Sequence, residues 1–391
     1  MARWYSAHAS RYYHLLTAVA QLGHKVIVLQ PPSRGSDEAN DIDVVLPPHP
    51  DVRVITVNLS RFFWNAKFPL EKLTKKLVYS LVSLRLVKRL QREEKIDLVY
   101  LYNLPQFAYL MGRRPKVVFD LADDLLGMLE TELKITPKHP VHRLASWCLD
   151  WMMSRSDTVI VISGPLFDLI NHPHRFIIPN GAPVPAQAPV KDPAFKAPFT
   201  PPLRSLPGPL SLRGAGPAGM TVGYVGAFEY SMALDQAVVA AEQLPEVNFV
   251  LVGAGRDLAH IRAEVDRLAL KNVTLTGALP HDEAMRRIDG MDICLNLFHK
   301  TRVSHAVSPL KLFEYLSHGK PVISTRLHEV ERINEGFLFF ADDPGEVVER
   351  IRYIAGHRDE AERMAFRGRE IVARSFSWPV IAAKFLEAVT S

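Results

Sequence analysis

Cysteine is nearly absent from this sequence. Of its 391 residues only Cys148 and Cys294 are cysteines, and they lie far apart in the chain. Two distant cysteines exclude a disulfide-stabilised scaffold and a cysteine-rich metal site, so we expect a protein of a reducing compartment.

Long apolar runs are also missing. No uninterrupted stretch of about 18 apolar residues occurs, and the first residues carry no apolar run of the length found in signal peptides. The sequence therefore predicts a cytoplasmic protein without a membrane-spanning helix. With 48% hydrophobic and 23% charged residues a disordered chain is excluded, and the length predicts two globular domains.

Positive charge is concentrated in residues 61–95, where ten Lys or Arg face three Glu, a net charge of +7 against +5 for the whole chain. Aromatic residues begin this segment, and an amphipathic helix with an apolar face follows: Phe62, Phe63, Trp64 and Phe68, then Leu77, Leu81, Leu84 and Val87. The pattern predicts contact with an anionic membrane, so a peripheral position on the inner face of the membrane is expected. The alternative is a crossover helix that faces the core and has a solvated basic back. No nucleic-acid-binding motif is present, and nucleic acid is not expected as a partner.

Proline divides the chain. Ten prolines fall in residues 183–217, which predicts a linker. Short β-rich runs alternate with helical stretches on both sides, and this alternation is typical of parallel α/β sheets. The predicted strands are 26–29, 52–57, 98–102, 117–119, 158–162 and 176–178, then 222–225, 248–252, 273–276, 293–297 and 321–324.

The start of the first domain is unusual. A helix is predicted from Ser10, yet no strand precedes it, whereas a doubly wound domain usually begins with a strand near the centre of its sheet. We therefore predict a first domain that lacks its opening strand, with a chain start that has been assigned late.

Residues 308–325 carry the main binding motif. Ser308 is a good helix N-cap and Pro309 a good first residue, so the free amides and the positive end of this helix can face a phosphate. Lys311 lies beside that position, and Glu314, one turn further, can accept hydrogen bonds from a vicinal diol such as a ribose. The alternative is a capped surface helix with an ion pair between Lys311 and Glu314.

This segment resembles the nucleotide-sugar domain of GT-B glycosyltransferases of the group 1, or family 4, type. Residues 221–228 and 251–255 resemble its upstream glycine-containing turns, and residues 178–181 resemble the segment that closes the first domain. The resemblance implies two Rossmann-like domains facing across a cleft. The implied boundaries are an acceptor-binding domain at 1–182, a linker at 183–218, a donor domain at 219–374 and a returning helix at 375–391.

The resemblance also implies roles for residues. Ser308, Pro309, Leu310 and Lys311 hold the donor diphosphate, and Glu314 binds the ribose hydroxyls. A helix dipole and a lysine stabilise the leaving group without metal or cofactor.

Two departures from the family pattern concern the sugar and phosphate ends of the donor site. Ala306 stands where a second glutamate is usual, and the basic residues that usually follow Gly226 are missing. Arg256, Lys300 or Arg302 can supply the missing charge; the alternative is that each is an ordinary surface cation.

Three carboxylates follow a buried strand of the first domain: Asp120, Asp123 and Asp124. The segment resembles the one that carries a catalytic aspartate in glucuronosyltransferases of xanthan synthesis, and the match is Asp123. A carboxylate crowded by others titrates higher, which suits a general base acting on an acceptor hydroxyl. Asp120 or Asp124 can instead cap the following helix. Arg11 and His14 on the first helix are expected to contact the acceptor or the donor phosphate.

The resulting hypothesis is a glycosyltransferase that moves a sugar from a nucleotide-diphosphate donor to a hydroxyl of a lipid-linked or polysaccharide acceptor. The alternatives on the same fold are a nucleotide-sugar epimerase and an inactive sugar-nucleotide binder. A dinucleotide-binding oxidoreductase is a weaker alternative, because residues 253–258 lack the third glycine of the fingerprint.

Overall fold

The computed structural model describes residues 10–30, 49–57, 69–103, 115–131, 133–184 and 218–391. The aromatic residues at 62–68, most of the proline-rich linker and any strand before Ser10 lie outside these ranges, so the predictions about them stay predictions.

The first half of the chain is a parallel α/β domain. Its helices are α1 (Ser10–Gln21), α2 (Pro69–Glu93), α3 (Leu125–Thr131), α4 (Pro140–Arg155) and α5 (Gly164–Asp168). Its strands are β1 (Val26–Gln30), β2 (Val52–Thr56), β3 (Leu98–Tyr102), β4 (Lys116–Leu121), β5 (Thr158–Val161) and β6 (Arg175–Ile177). The strands form a parallel pair, β1-β2, and a four-stranded parallel sheet, β3-β4-β5-β6.

The second half is a six-stranded parallel sheet in the order β12-β11-β10-β7-β8-β9. Its strands are β7 (Thr221–Val225), β8 (Asn248–Val252), β9 (Val273–Gly277), β10 (Ile293–Asn296), β11 (Val322–Ser324) and β12 (Phe339–Phe340). Its helices are α6 (Leu234–Gln243), α7 (Leu258–Arg267), α8 (His281–Asp289), α9 (Arg302–His305), α10 (Leu310–Ser317), α11 (His328–Ile333), α12 (Pro344–Gly356), α13 (Arg358–Ile371) and, after a π-helical turn at Val372–Phe376, α14 (Trp378–Thr390). The expected α/β architecture with parallel sheets is confirmed.

Burial differs between the strands of the first domain. β4 is buried along nearly its whole length, as expected for a strand covered on both faces. By contrast, four of the five residues of β1 and four of the five residues of β3 are only half-buried. Within the described ranges β1 and β3 do not pair with each other, so the sheet is divided at this point.

The last helix returns to the first domain. Trp378, Ile381 and Phe385 of α14 share one hydrophobic cluster with Leu15 and Val19 of α1. Ala182 also forms a parallel bridge with Ser377. The two halves are therefore joined by packing at the end of the chain as well as by the linker.

Helix α2 is a crossover helix in the part whose side chains are described. Leu84 and Val87, which were expected on a membrane-facing surface, pack against the core of the first domain instead. Leu81 and the basic side chains of Arg85 and Lys88 are exposed. This part of α2 thus follows the alternative of a core-facing helix with a basic back. In the described ranges no helix combines the length and the apolar character that crossing a bilayer requires.

Candidate functional site

The carboxyl edges of the two sheets face each other. After β5, the Ser163 hydroxyl donates to the carbonyl oxygen of Ala306 at 2.6 Å, and the Gly164 amide donates to Glu329 at 2.9 Å. After β6, the Asn180 side-chain amide donates to the carbonyl oxygen of Ser308 at 2.6 Å. The partner residues follow β10 and β11 of the second sheet, so the cleft lies where parallel sheets bind their ligands.

Lys311 is held in an unusual setting on α10. Its ammonium lies 4.9 Å from the ring centroids of both Tyr224 and Phe298 and 3.0 Å from the sulfur of Met232. Burial lowers the pKa of Lys311 to about 8, while Glu314 acts in the opposite direction. Two aromatic faces and a thioether compensate a charge only in part, so this ammonium is prepared to receive an anion.

Gly226, at the end of β7, makes room for Lys311. A Cβ atom at this position would lie 2.9 Å from Cε of Lys311 and 3.0 Å from the Tyr224 hydroxyl, and the backbone has a φ of +156°. Gly226 and Lys311 therefore lie against each other.

The start of α10 differs from the prediction. The helix begins at Leu310 with Pro309 as its N-cap, and no side chain caps it. Ser308 is buried, and its hydroxyl accepts a hydrogen bond from the Asn180 amide at 3.2 Å. The expectation that Ser308 caps the helix beside a phosphate is therefore wrong: this side chain ties the donor domain to the end of the first domain.

Glu314 lies one turn after Lys311. Burial raises the pKa of its carboxyl group, and the positive potentials of His281, His318 and Lys311 oppose that rise. Among the described residues it forms no ion pair within 4.0 Å, so the alternative of a surface pair with Lys311 does not hold. A half-buried carboxyl group at this position has oxygens to offer to a diol.

His14 reaches the same region from α1. Its ring stacks on Trp378 at 5.5 Å between centroids and lies 6.3 Å from the ring of His281. Burial lowers the pKa of His14 to about 4, and His281 adds to this shift. The imidazole of His14 is therefore neutral at neutral pH, and it extends from the first domain towards the residues around Glu314.

Arg11 and Asp120 form a buried pair instead of contacting a ligand. Arg11 is 3% exposed, and its guanidinium donates to both oxygens of Asp120, to the side chain of Asn180 and to the carbonyl oxygens of Ile178 and Pro179. Asp120 is fully buried and also accepts the Tyr100 hydroxyl. The predictions of an acceptor-binding Arg11 and a catalytic Asp120 are contradicted, since every donor nitrogen of Arg11 is used within the protein.

Asp124 and Arg302 hold the domains together across the cleft. Asp124 caps α3 by accepting the Gly127 amide at 2.8 Å, as the capping alternative anticipated. Arg302 pairs with Asp124 at 2.9 Å and with Glu130 at 2.9 Å. Both were candidates for direct catalysis or donor binding, and in this structure both are engaged with each other.

The other candidate cations are paired too. Arg256 pairs with Glu229 and lies 5.3 Å from the ring centroid of Tyr230, at the carboxyl edge of β7 and β8. Lys300 pairs with Asp342 at 2.8 Å. Ala306 is buried against the core of the first domain, so the structure offers no carboxylate at that position.

Asp123 is the exposed member of the three carboxylates. It follows β4 and accepts a hydrogen bond from the side-chain amide of Asn103 at 3.1 Å. Asn103 directly follows β3 and has a φ of +54°, a conformation that costs energy in a residue other than glycine. Sequence reasoning missed Asn103. The signal was available, because polar residues at the ends of adjacent parallel strands meet at one edge.

Among the described residues, no three His, Cys, Asp or Glu side chains lie together as metal ligands would. The cleft brings together a half-buried lysine, Lys311, and a half-buried glutamic acid, Glu314, on the second domain and an exposed aspartate, Asp123, on the first.

Both halves match glycosyltransferase families. Residues 7–181 match the family described as "Glycosyl transferase 4-like domain", and residues 235–387 match the family described as "Glycosyl transferase-like". Each match covers less than half of the chain, so the two halves are similar to glycosyltransferase domains, and the overall fold is that of the GT-B glycosyltransferases.

Individual proteins are similar to this chain in sequence or in fold. The putative teichuronic acid biosynthesis glycosyltransferase TuaH of Bacillus subtilis (strain 168) is 25% identical over 166 residues, which are 42% of this chain and 41% of that protein. Sucrose-phosphate synthase from Thermosynechococcus elongatus has a TM-score of 0.69 at 18% identity, covering 96% of this chain and 91% of the other. HepE from Anabaena, solved with UDP and glucose, has a TM-score of 0.57 at 18% identity, covering 87% and 86%. The match to the curated relative thus spans about two fifths of its length, and the structural likenesses establish the fold.

Proposed function

We propose that this protein is a glycosyltransferase that moves a hexose-type sugar from a nucleoside diphosphate to a hydroxyl of a glycan or lipid-linked acceptor. The observation that carries the proposal is Lys311, an incompletely compensated ammonium at the carboxyl edge of the donor domain, with Glu314 one turn away. Both domain matches and the UDP in the HepE structure support this assignment.

The donor side supplies charge. Lys311 contacts the diphosphate, and its ammonium offsets the negative charge that develops as the bond from the sugar C1 to the phosphate oxygen breaks. Glu314 accepts hydrogen bonds from the ribose hydroxyls. No metal is assigned to this step.

The acceptor side supplies the base. Asp123 takes the proton of the acceptor hydroxyl as its oxygen forms the new bond to C1. Asn103 holds the carboxylate by its hydrogen bond. We place the enzyme at the inner face of the membrane, where lipid-linked acceptors occur.

The test is a panel of nucleotide sugars, with UDP-sugars first. We expect one of them to bind and to be transferred or slowly hydrolysed, at the same rate with and without EDTA, because Lys311 supplies the positive charge. Interconversion of the sugar without release of nucleotide would indicate an epimerase, and binding without turnover an inactive binder. Absence of binding by every member would exclude the proposal.

Donor affinity should depend on pH through Lys311. Because burial lowers its pKa to about 8, the free protein loses the ammonium proton as the pH rises through that value. The donor Kd is therefore expected to increase above about pH 8, by up to roughly ten-fold per pH unit. Titration calorimetry from pH 6.5 to 9.5 measures this. The Lys311→Arg variant keeps its charge over this range, and a donor Kd that rises equally in both proteins would contradict the assignment.

A further inference from the structure

The surface of α4 has an apolar stripe that folding does not explain. Of the large apolar side chains that are exposed in the described residues, half lie in one segment: Leu133, Val141, Leu144 and Trp147. Leu144 and Trp147 are 60% and 62% exposed. Their concentration on one short stretch marks an interaction surface, whereas single exposed apolar residues are ordinary.

Helix α4 is apolar on two sides. Its inner side carries Leu149, Met152 and Met153, which pack into the core cluster of the first domain. At 100° per residue, Leu144 and Trp147 project on the opposite side, and Trp151 is half-buried beside them. The core therefore uses one side of α4, and the second apolar side faces solvent.

Positive charge surrounds this stripe. Among the described residues on or beside α4, Lys134, Lys138, Arg143 and Arg155 are exposed, and Asp150 is the one exposed acidic residue. Helix α2 adds more, because Leu84 and Val87 pack into the same cluster as α4 and so place α2 on the same face of the four-stranded sheet. Its outward side carries further exposed basic side chains, Arg85, Lys88, Arg89 and Arg92, of which Arg89 pairs with the exposed Glu93 at 2.7 Å.

We propose that this face, the outward sides of α4 and α2 together with Leu133, binds the surface of an anionic phospholipid bilayer. Leu144 and Trp147 would enter the interface, and the surrounding Lys and Arg would contact lipid phosphates. The apolar part of the membrane contact then lies on α4 and not on α2, whose Leu84 and Val87 face the core. The contact itself does not depend on catalysis; its use in bringing Asp123 to a lipid-linked acceptor rests on the proposed function.

The experiment is co-sedimentation with vesicles of phosphatidylcholine alone or with about 30% phosphatidylglycerol, which carries negative charge. The variants are Leu144→Gln with Trp147→Gln, and Leu169→Gln as a matched control, since Leu169 is 58% exposed in the same domain. We expect binding to the anionic vesicles, a loss of ten-fold or more in the double variant, and no change in the control. Binding should also weaken in about 0.5 M NaCl, where charges are screened.

Several outcomes would overturn the proposal: no vesicle binding by the wild type, equal binding by the double variant, or equal loss in the Leu169→Gln control. Light scattering, which measures the oligomeric state, tests whether a second copy of the chain binds this face instead. A dimer that dissociates in the double variant, without vesicle binding, would assign the face to self-association. Nucleotide-sugar binding measured without vesicles separates these results from a failure of the proposed function, because the double variant leaves Lys311 and Glu314 untouched.

Discussion

Replacing Asp123 with asparagine should lower the rate of sugar transfer by roughly 10²–10⁴-fold while leaving donor affinity unchanged. The carboxylate is the exposed acidic group at the carboxyl edge of β4, and Asn103 orients it at 3.1 Å. An asparagine keeps the size and the polar surface but cannot take the proton of the acceptor hydroxyl. The loss is therefore expected in kcat and not in the donor Kd.

The measurement is steady-state transfer together with donor titration and thermal unfolding. Asp97→Asn is the matched control, since Asp97 is 76% exposed and precedes β3 at the opposite edge of the same sheet. Asp97→Asn should change neither quantity. The product anomer gives an independent check, because base-assisted displacement in one step inverts the configuration. Retention of configuration, or full activity of Asp123→Asn, would remove Asp123 from the mechanism.

Buried strands such as β4, β5 and β10 were predictable because a strand covered on both faces must be apolar throughout. All eleven runs chosen from the sequence correspond to strands within one or two residues, and β3 and β8 have the predicted bounds. The twelfth strand, β12 at Phe339–Phe340, was missed because two residues are too short to show a pattern. The expected location of the ligand site rests on a general property of parallel α/β units, which bind their ligands at the carboxyl edge of the sheet.

The functions of individual charged residues were less predictable. Arg11 and Asp120 are 109 positions apart, and their pairing depends on how α1 lies over β4, which no local pattern encodes. Arg302 and Asp124 meet only because the two domains face each other. Residue type and position relative to a strand indicate where a charge will lie, whereas its partner is set by packing between distant elements.

Replacing Lys311 with methionine should abolish most donor binding and at the same time stabilise the free protein. Methionine fills the space between Tyr224 and Phe298 without a charge. Loss of a charged hydrogen bond to the diphosphate should weaken donor binding by about 1.5–3 kcal/mol, roughly 10- to 150-fold. The pKa of Lys311, lowered from 10.5 to about 8, corresponds to a cost of the order of 3 kcal/mol for holding the ammonium in the folded state.

The sign of this stability effect depends on pH. Below about pH 8 the folded wild type carries the charged lysine and its full cost; between pH 8 and 10.5 the unfolded chain binds more protons, so wild-type stability rises with pH. The Tm of Lys311→Met should therefore exceed that of the wild type by several degrees at pH 7, and the difference should shrink as the pH approaches 10.5. Lys271→Met, at an exposed lysine before β9, should alter neither Tm nor donor affinity. A protein that has lost donor binding through misfolding has a lower Tm, so a higher Tm with weaker binding identifies Lys311 as a residue kept for its ligand at the expense of stability.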